Sequence, residues 1–179
     1  MKATGIIRRV DDLGRIVIPK DIRRTLHIRE GDPLEIYIDG QDGVTFKKYS
    51  PMNGLQKELM DNYAKTLTKI CNFPVLICNK YQVVSCAGLF ARDFENYPII
   101  DKLTDHIEKR EIYIQNSQEA ISVIERSRNK VLVSVPIEFD NEGVGAVILL
   151  TDKMTDTISI EDINLVKLTA GIISGQLDW

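Results

Sequence analysis

The spacing of apolar and polar positions changes period several times along the chain. In residues 4–10 (TGIIRRV), Ile6, Arg8 and Val10 share one side of an extended backbone, and Ile7 and Arg9 share the other. A strand with cations on both faces suits the rim of a small barrel better than a buried core. Asp11, Asp12, Leu13 and Gly14 predict a turn, with Gly14 free to take a positive φ. Ile16 and Ile18 then alternate with Arg15 and Val17 in a second short strand. Pro19 suits the first position of a helix, because its missing N–H has no partner there anyway. The spacing predicts about ten helical residues stopping near Gly31. Ile22 and Leu26 fall on one side of it, and Lys20, Arg23, Arg24 and His27 fall opposite. Leu34, Ile36 and Ile38 alternate with Glu35, Tyr37 and Asp39, a half-buried strand. Residues 39–43 close a hairpin, and residues 44–48 return.

Residues 50–54 (SPMNG) interrupt this pattern and predict a hinge over 51–54. From Leu55 the period is helical: Leu55, Leu59, Met60, Tyr63, Leu67 and Ile70 form one stripe. Residues 74–150 read as a sheet with inserted helices. Residues 75–78 and 82–86 flank a hairpin, and Pro98 suits the start of a helix carrying Ile99, Ile100, Leu103 and Ile107. Residues 130–139 (KVLVSVPIEF) form a long apolar strand in which Pro136 requires an edge or a bulge. A turn at 140–143 leads into residues 144–151 (VGAVILLT), the most buried-looking strand. A final helix begins at Ser159 and Asp162 in a capping-box-like pair. It carries two stripes. Ile160, Ile163, Val166, Ala170, Ile173 and Leu177 make one; Leu165, Leu168 and Ile172 make the other. A helix lying on a sheet needs only one, so the second predicts contact with another chain or with the helix at 55–70. The expected fold class is α+β, divided into residues 1–50, a hinge at 51–54 and residues 55–179.

Charge changes this picture most. The 179 residues carry a net charge of −3. Residues 1–29 hold eight Lys/Arg against three Asp, or +5, and the remaining chain holds 15 Lys/Arg against 23 Asp/Glu, or −8. A basic head on an acidic body predicts a polyanion partner for the head alone. Five arginines and one lysine fall within residues 8–24, where planar guanidinium groups suit phosphates and guanine edges. The competing reading is a solvated surface whose arginines pair with Asp11, Asp12 or Asp21, worth little when exposed. Fifty residues with four short strands and one short helix bury too little surface alone, so pairing of two copies is expected.

Catalytic and metal chemistry find little support. There are two histidines: His27 beside the arginines, and His106 in a charged helix end. No Gly-rich phosphate loop, HExxH or GxSxG occurs. Cys71, Cys78 and Cys86 lack paired CxxC spacing, so no metal site and no cofactor are expected. They read as buried free thiols, although Cys78 and Cys86 could face each other across a hairpin. No run of eighteen apolar residues occurs, and the first residues lack a signal peptide's apolar core. The expected location is a reducing cytoplasm, with no membrane partner. Polar residues in 92–97 (RDFENY) read either as a ligand-lining loop or as a solvated connection.

Three stretches carry a family resemblance: the first five residues (MKATG), residues 8–24, and residues 34–49 (LEIYIDGQDGVTFKKY). There the chain resembles the AbrB-type swapped-hairpin DNA-binding domain of bacterial transition-state regulators. The resemblance implies a β-barrel formed by a dimer, with Arg8, Arg15, Arg23 and Arg24 on double-stranded DNA. Lys2 and Arg9 lie close enough in sequence to add phosphate contacts. Residues 55–179 resemble a GAF-type α/β sensor domain, carried by element order and by VLVSVPIEFD followed by GVGAVILL. That implies an oligomerising domain with room for an unidentified small-molecule ligand. Together the two imply a non-enzymatic, nucleoid-associated regulator of spore development, tetrameric, activating some genes and repressing others. Two rivals remain. One is an antitoxin-type autoregulator, since the same barrel serves in toxin–antitoxin pairs. The other is a metabolite-binding GAF protein whose basic head serves only assembly.

Overall fold

Backbone hydrogen bonding sorts the strands into two separate sheets, and the chain divides into two compact units, Met1–Tyr49 and Ser50–Trp179. The computed structural model describes residues 5–40, 43–88, 94–115, 120–125, 127–153 and 155–177.

In the first unit, α1 (Lys20–Thr25) begins after Pro19, whose carbonyl accepts from the Arg23 N–H at 3.0 Å. The helix is shorter than its polar pattern predicts. It stops because His27, at φ 51°, takes the left-handed position that usually falls to glycine. The Ile28 N–H bonds the Arg23 carbonyl at 2.7 Å and the His27 N–H bonds the Arg24 carbonyl at 3.3 Å, closing the last turn. Gly31, the expected stop, lies beyond this cap. Strands β1 (Leu34–Asp39) and β2 (Gly43–Lys48) pair antiparallel, Ile36 opposite Phe46 and Ile38 opposite Val44. The expected strands at 4–10 and 15–18 do not form over the described residues. A strand needs a partner ladder, and among the described residues, 7–18 join none.

The second unit is a five-stranded antiparallel sheet in the order β4-β3-β7-β6-β5. Its strands are β3 (Val75–Asn79), β4 (Val83–Ala87), β5 (Tyr113–Ile114), β6 (Lys130–Phe139) and β7 (Glu142–Thr151). β7 is central and buried along nearly its whole length, as its unbroken apolar run requires. Helices α2 (Lys57–Cys71) and α4 (Ile160–Gly175) cover one face, with Met60, Ala64, Leu67, Val166, Ala170 and Ile173 meeting Val75, Ile77, Val147 and Leu149. Helix α3 (Asp101–Glu108) covers the other, where Leu103 and Ile107 meet Leu76, Cys78, Ala146 and Ile148. Full burial of each such side chain contributes roughly 1.5–3 kcal/mol.

Turn chemistry fixes the register. Asp140 (φ 50°) and Asn141 (φ 64°) form the two-residue loop between β6 and β7, and Phe139 pairs directly with Glu142. Arg110 donates to the Asn141 side chain at 2.5 Å and lies 3.6 Å from Glu138, tying the end of α3 to that hairpin. Pro136 is tolerated because β5 pairs only with Ser134 and Val133, so no ladder reaches its nitrogen side; a bulge follows at Ile137/Glu138. A second irregularity at Val131/Val133 puts both Leu132 and Val133 into the α2/α4 core.

One expectation is corrected. Pro98 does not open a helix; it bridges to Gln82 at the sheet edge, and α3 starts three residues later. Residues 51–54, expected as a hinge, form a 3-10 turn that clusters with the second unit. Ser50 Oγ accepts from the Met52 N–H, and Met52, 2% exposed, enters the core. It rests where Gly145 leaves room, since a Cβ there would lie 2.4 Å from Met52 Sδ and 2.3 Å from the Cys78 carbonyl oxygen.

Gly143 gives the sharpest test of this packing. A Cβ at that position would stand 1.8 Å from the Ile107 carbonyl oxygen, a backbone atom that cannot step aside alone. Gly143→Ala is therefore expected to destabilise the intact chain by about 1–3 kcal/mol in urea unfolding. An unchanged midpoint would contradict the close approach of α3 to β7.

Candidate nucleic-acid interface

Asp11 builds the turn that carries the first arginines. Its carboxylate accepts from the Leu13 N–H at 3.0 Å, the Arg15 N–H at 2.8 Å and the Arg15 guanidinium at 2.7 Å. Backbone bonds from the Asp11 N–H to the Arg15 carbonyl and from the Gly14 N–H to the Asp11 carbonyl, both 3.0 Å, complete it, with Gly14 at φ 76°. The Arg15 backbone N–H, then its guanidinium, then the Leu13 N–H hold the Asp11 carboxyl below its ordinary value. Arg15 is thus ion-paired, in the arrangement the solvated-surface reading anticipates, but openly: its side chain is 69% exposed.

The other arginines of residues 8–24 stand apart from carboxylates. Arg8, Arg9, Arg23 and Arg24 are exposed, and among the described residues none has an acidic partner. Arg8 makes one 3.5 Å bond to the Ile7 carbonyl. Arg23 and Arg24 occupy the last turn of α1, where cations also complement the helix dipole. Lys2 lies outside the described residues. Within one chain, then, Arg23 and Arg24 are neighbours on one turn, Arg8 and Arg9 are neighbours on a segment without regular structure, and Arg15 sits on the turn between them.

Lys48 has a structural role that its sequence position does not advertise. It contacts the His27 carbonyl and lies 3.9 Å from Asp32, while the Asp32 carboxylate accepts from the Arg29 N–H at 2.8 Å. These contacts pin the chain after α1 to the end of β2. Lys47 stacks over the Tyr37 ring at 4.6 Å, and Tyr37 donates to Glu35 at 2.6 Å, which holds the phenol above its ordinary value.

The apolar side chains of this unit find no interior. Among the described residues of 5–49 none is buried, and Ile7 is 87%, Val17 72% and Ile38 84% exposed. Ile36, Ile38, Val44 and Phe46 form an open apolar sheet face.

Residues outside the basic head offer weaker chemistry. Burial pushes Cys78 and Cys71 up to about 12, with Asp162 adding at Cys71, and pushes Cys86 up to about 11. None of the three forms a disulfide among the described residues; Cys78 lies opposite Val83 and Cys86 opposite Leu76, so the hairpin does not juxtapose them. His106 Nδ1 lies 3.4 Å from Glu111, with its ring against Tyr113. Of the polar stretch 92–97, residues 92 and 93 lie outside the described residues, and Phe94 is buried. In α4, Leu168 and Ile172 are exposed, whereas Leu165 packs partly against the core. Ile160, assigned to the sheet-facing stripe, is 73% exposed because it precedes the part of the helix that reaches the sheet.

Comparison with known proteins places these features. Residues 56–178 match the family described as Stage V sporulation protein T C-terminal, transcription factor. Residues 7–52 match the family described as Antidote-toxin recognition MazE, bacterial antitoxin. Over 181 aligned residues the chain is 36% identical to Stage V sporulation protein T of Bacillus subtilis, covering 99% of each. Over 51 residues it is 59% identical to the Transition state regulatory protein AbrB of Bacillus subtilis, covering 28% of this chain and 52% of that one. The GAF domain/HD domain protein of Geobacter sulfurreducens superposes with a TM-score of 0.51 at 15% identity, covering 68% of this chain and 93% of that one, a likeness of fold.

The Asp11 turn yields a titration test. Its carboxylate is favoured in the folded state, so the turn is fully supported above the ordinary value of 3.8 and loosens only as pH falls through a lower midpoint. NMR titration of Asp11 is expected to show a midpoint below 3.8. Arg15→Ala should raise it only partly, because the larger cause, the backbone N–H, survives.

Proposed function

The chain belongs to the stage V sporulation protein T family, and from that premise we propose that it regulates sporulation genes by binding double-stranded DNA, activating some and repressing others. The observation that carries this reading is the set of exposed arginines, Arg8, Arg9, Arg23 and Arg24, without acidic partners among the described residues. Arg15 joins them by exchanging an exposed carboxylate for a phosphate, a trade that costs little because solvent screens such a pair. Lys2 adds a phosphate contact. Phosphate neutralisation supplies affinity, and paired guanidiniums on a twisted rim read groove shape as well as base edges.

The head works as a dimer of residues 1–50. Support comes from its apolar side chains, which one copy leaves open, and from residues 7–18, which join no sheet among the described residues. A second copy supplies both a partner ladder and an apolar cover. The domain at residues 55–179 oligomerises through the exposed Leu168 and Ile172 face of α4, giving a tetramer, and accommodates a small-molecule ligand beside its sheet. The protein acts by binding, not catalysis, at the nucleoid in the cytoplasm. No helix among the described residues is long and apolar enough to cross a membrane.

The antitoxin reading has one observation in its favour, the match of residues 7–52 to the MazE description. It is outweighed by residues 56–178, which match a transcription-factor family and fold into a packed domain instead of a toxin-binding tail.

Arg23→Ala and Arg24→Ala should weaken binding of the intact chain to a pool of short random-sequence duplexes. Each should flatten the log–log salt dependence by about one unit for every phosphate that is no longer neutralised, hence about two for a dimer. Unchanged affinity and slope would favour a head that serves only assembly. Leu168→Glu should convert tetramers to dimers in sedimentation while leaving the thermal midpoint of the second unit in place. Tetramers that persist would exclude the α4 face.

A further inference from the structure

Two adjacent lysines end β2, and the pleat of the strand sends them to opposite faces. Lys47 is exposed and lies over the Tyr37 ring. Lys48 stands opposite Leu34, at the open end of the hairpin, and its side chain is only 18% exposed. Its ammonium donates to the His27 carbonyl and lies 3.9 Å from the Asp32 carboxylate. Asp32 in turn accepts from the Arg29 N–H at 2.8 Å. This cation is therefore directed at the segment between α1 and β1.

The His27 carbonyl matters because of the peptide group to which it belongs. The N–H of that group is the Ile28 N–H, which donates to the Arg23 carbonyl at 2.7 Å. A trans peptide is planar, and its oxygen and hydrogen point opposite ways. One rigid plate is thus held at one edge by Lys48 and at the other by the last turn of α1. His27 itself takes φ 51°, a left-handed conformation that costs energy for a residue with a side chain. Its own N–H closes on the Arg24 carbonyl at 3.3 Å. The two carbonyls that accept these closing bonds belong to Arg23 and Arg24.

Helix α1 has little else to hold it. It is six residues long and none of them is buried. A helix this short is marginal by itself. Bonds at its end therefore weigh more than they would in a packed helix.

We propose that Lys48 is a positioning residue for DNA binding: it holds the His27–Ile28 peptide against the end of β2, and so fixes the turn from which Arg23 and Arg24 project. Lys48 does not itself touch DNA. Without it the turn frays, and binding must restore the order that was lost. The number of cations facing DNA stays the same. Lys48 thus contributes to affinity but not to salt dependence, which separates it from a phosphate contact. The proposal rests on the DNA-binding reading of residues 1–50.

The test uses the intact chain with Lys48→Met, His27→Gly and the two combined. Three readouts are taken: amide exchange at Ile28, affinity for the random-sequence duplex pool at fixed salt, and the log–log salt slope. Lys48→Met should exchange faster at Ile28 and bind about fivefold more weakly, the scale of one hydrogen bond, with an unchanged slope. Glycine takes the left-handed turn without a steric cost, so it closes the cap without help. The combined variant should therefore match His27→Gly alone in exchange and affinity. A slope flattened by about two in Lys48→Met would make Lys48 a phosphate contact and overturn the proposal. Unchanged exchange, or unchanged affinity, would overturn it as well. So would a loss of affinity that glycine at 27 does not recover, because Lys48 would then act elsewhere than at the cap. If Lys48→Met does not fold, the combined variant decides against His27→Gly alone, and its failure to fold would mean that Lys48 holds the whole head and not the cap. A wild-type chain that binds no duplex would overturn the DNA-binding reading itself. That result is distinguishable from the others, since Ile28 exchange would still report whether Lys48 holds the turn.

Discussion

Apolar surface that one copy of the head leaves in water is the constraint from which the rest follows. Ile7, Val17, Ile38 and the sheet face of Ile36, Val44 and Phe46 cannot retreat into a core, because the described residues of this unit supply none. A two-stranded hairpin is marginal in water at best. At about 25 cal/mol per Å² of apolar surface, leaving such side chains exposed forfeits most of what would hold fifty residues together. The proposed dimer would cover this surface and bring two sets of arginines into one object, giving the stability of the head and its capacity for DNA a common source.

The second unit solves its stability differently. It closes two cores around one sheet, with α2 and α4 on one face and α3 on the other. Glycines at the crowded end of β7 let neighbouring backbone and Met52 approach more closely than any side chain would permit. A GAF fold built this way needs no partner for its core, and Leu168 and Ile172 of α4 remain available for other contacts. A sporulation transcription regulator of this kind joins a head without a buried interior to a domain with two cores.

Charge separates the two units as sharply as packing does. The arginines of residues 8–24 face water, and among the described residues Arg15 alone of those five is paired to a carboxylate. In the second unit several cations are tied down: Lys57 to Asp61 and Glu95, Lys80 to Glu142, Arg110 to Glu138. Paired cations position elements; unpaired ones stay open to an anion from outside. This contrast is what supports the proposed nucleic-acid surface on residues 8–24.

Much of the second unit was legible in the residues. Alternation and apolar runs located β3, β6, β7 and α2, and Ser159 marked the start of α4, because burial on a sheet imposes a period that the chain must display. The basic cluster at 8–24 was equally plain. Local geometry decided the rest. His27 ended α1 early because a side chain other than glycine took the left-handed turn. Pro98 bridged to Gln82 at the sheet edge instead of opening a helix, and residues 51–54 took a 3-10 turn that buries Met52. None of these has a periodic signature. The amino-acid order by itself determined which surfaces are apolar and which are cationic, since those are properties of side chains. Only the tertiary structure decided which charges already neutralise one another, because Lys57 and Glu95, or Lys48 and Asp32, meet through folding across many intervening residues.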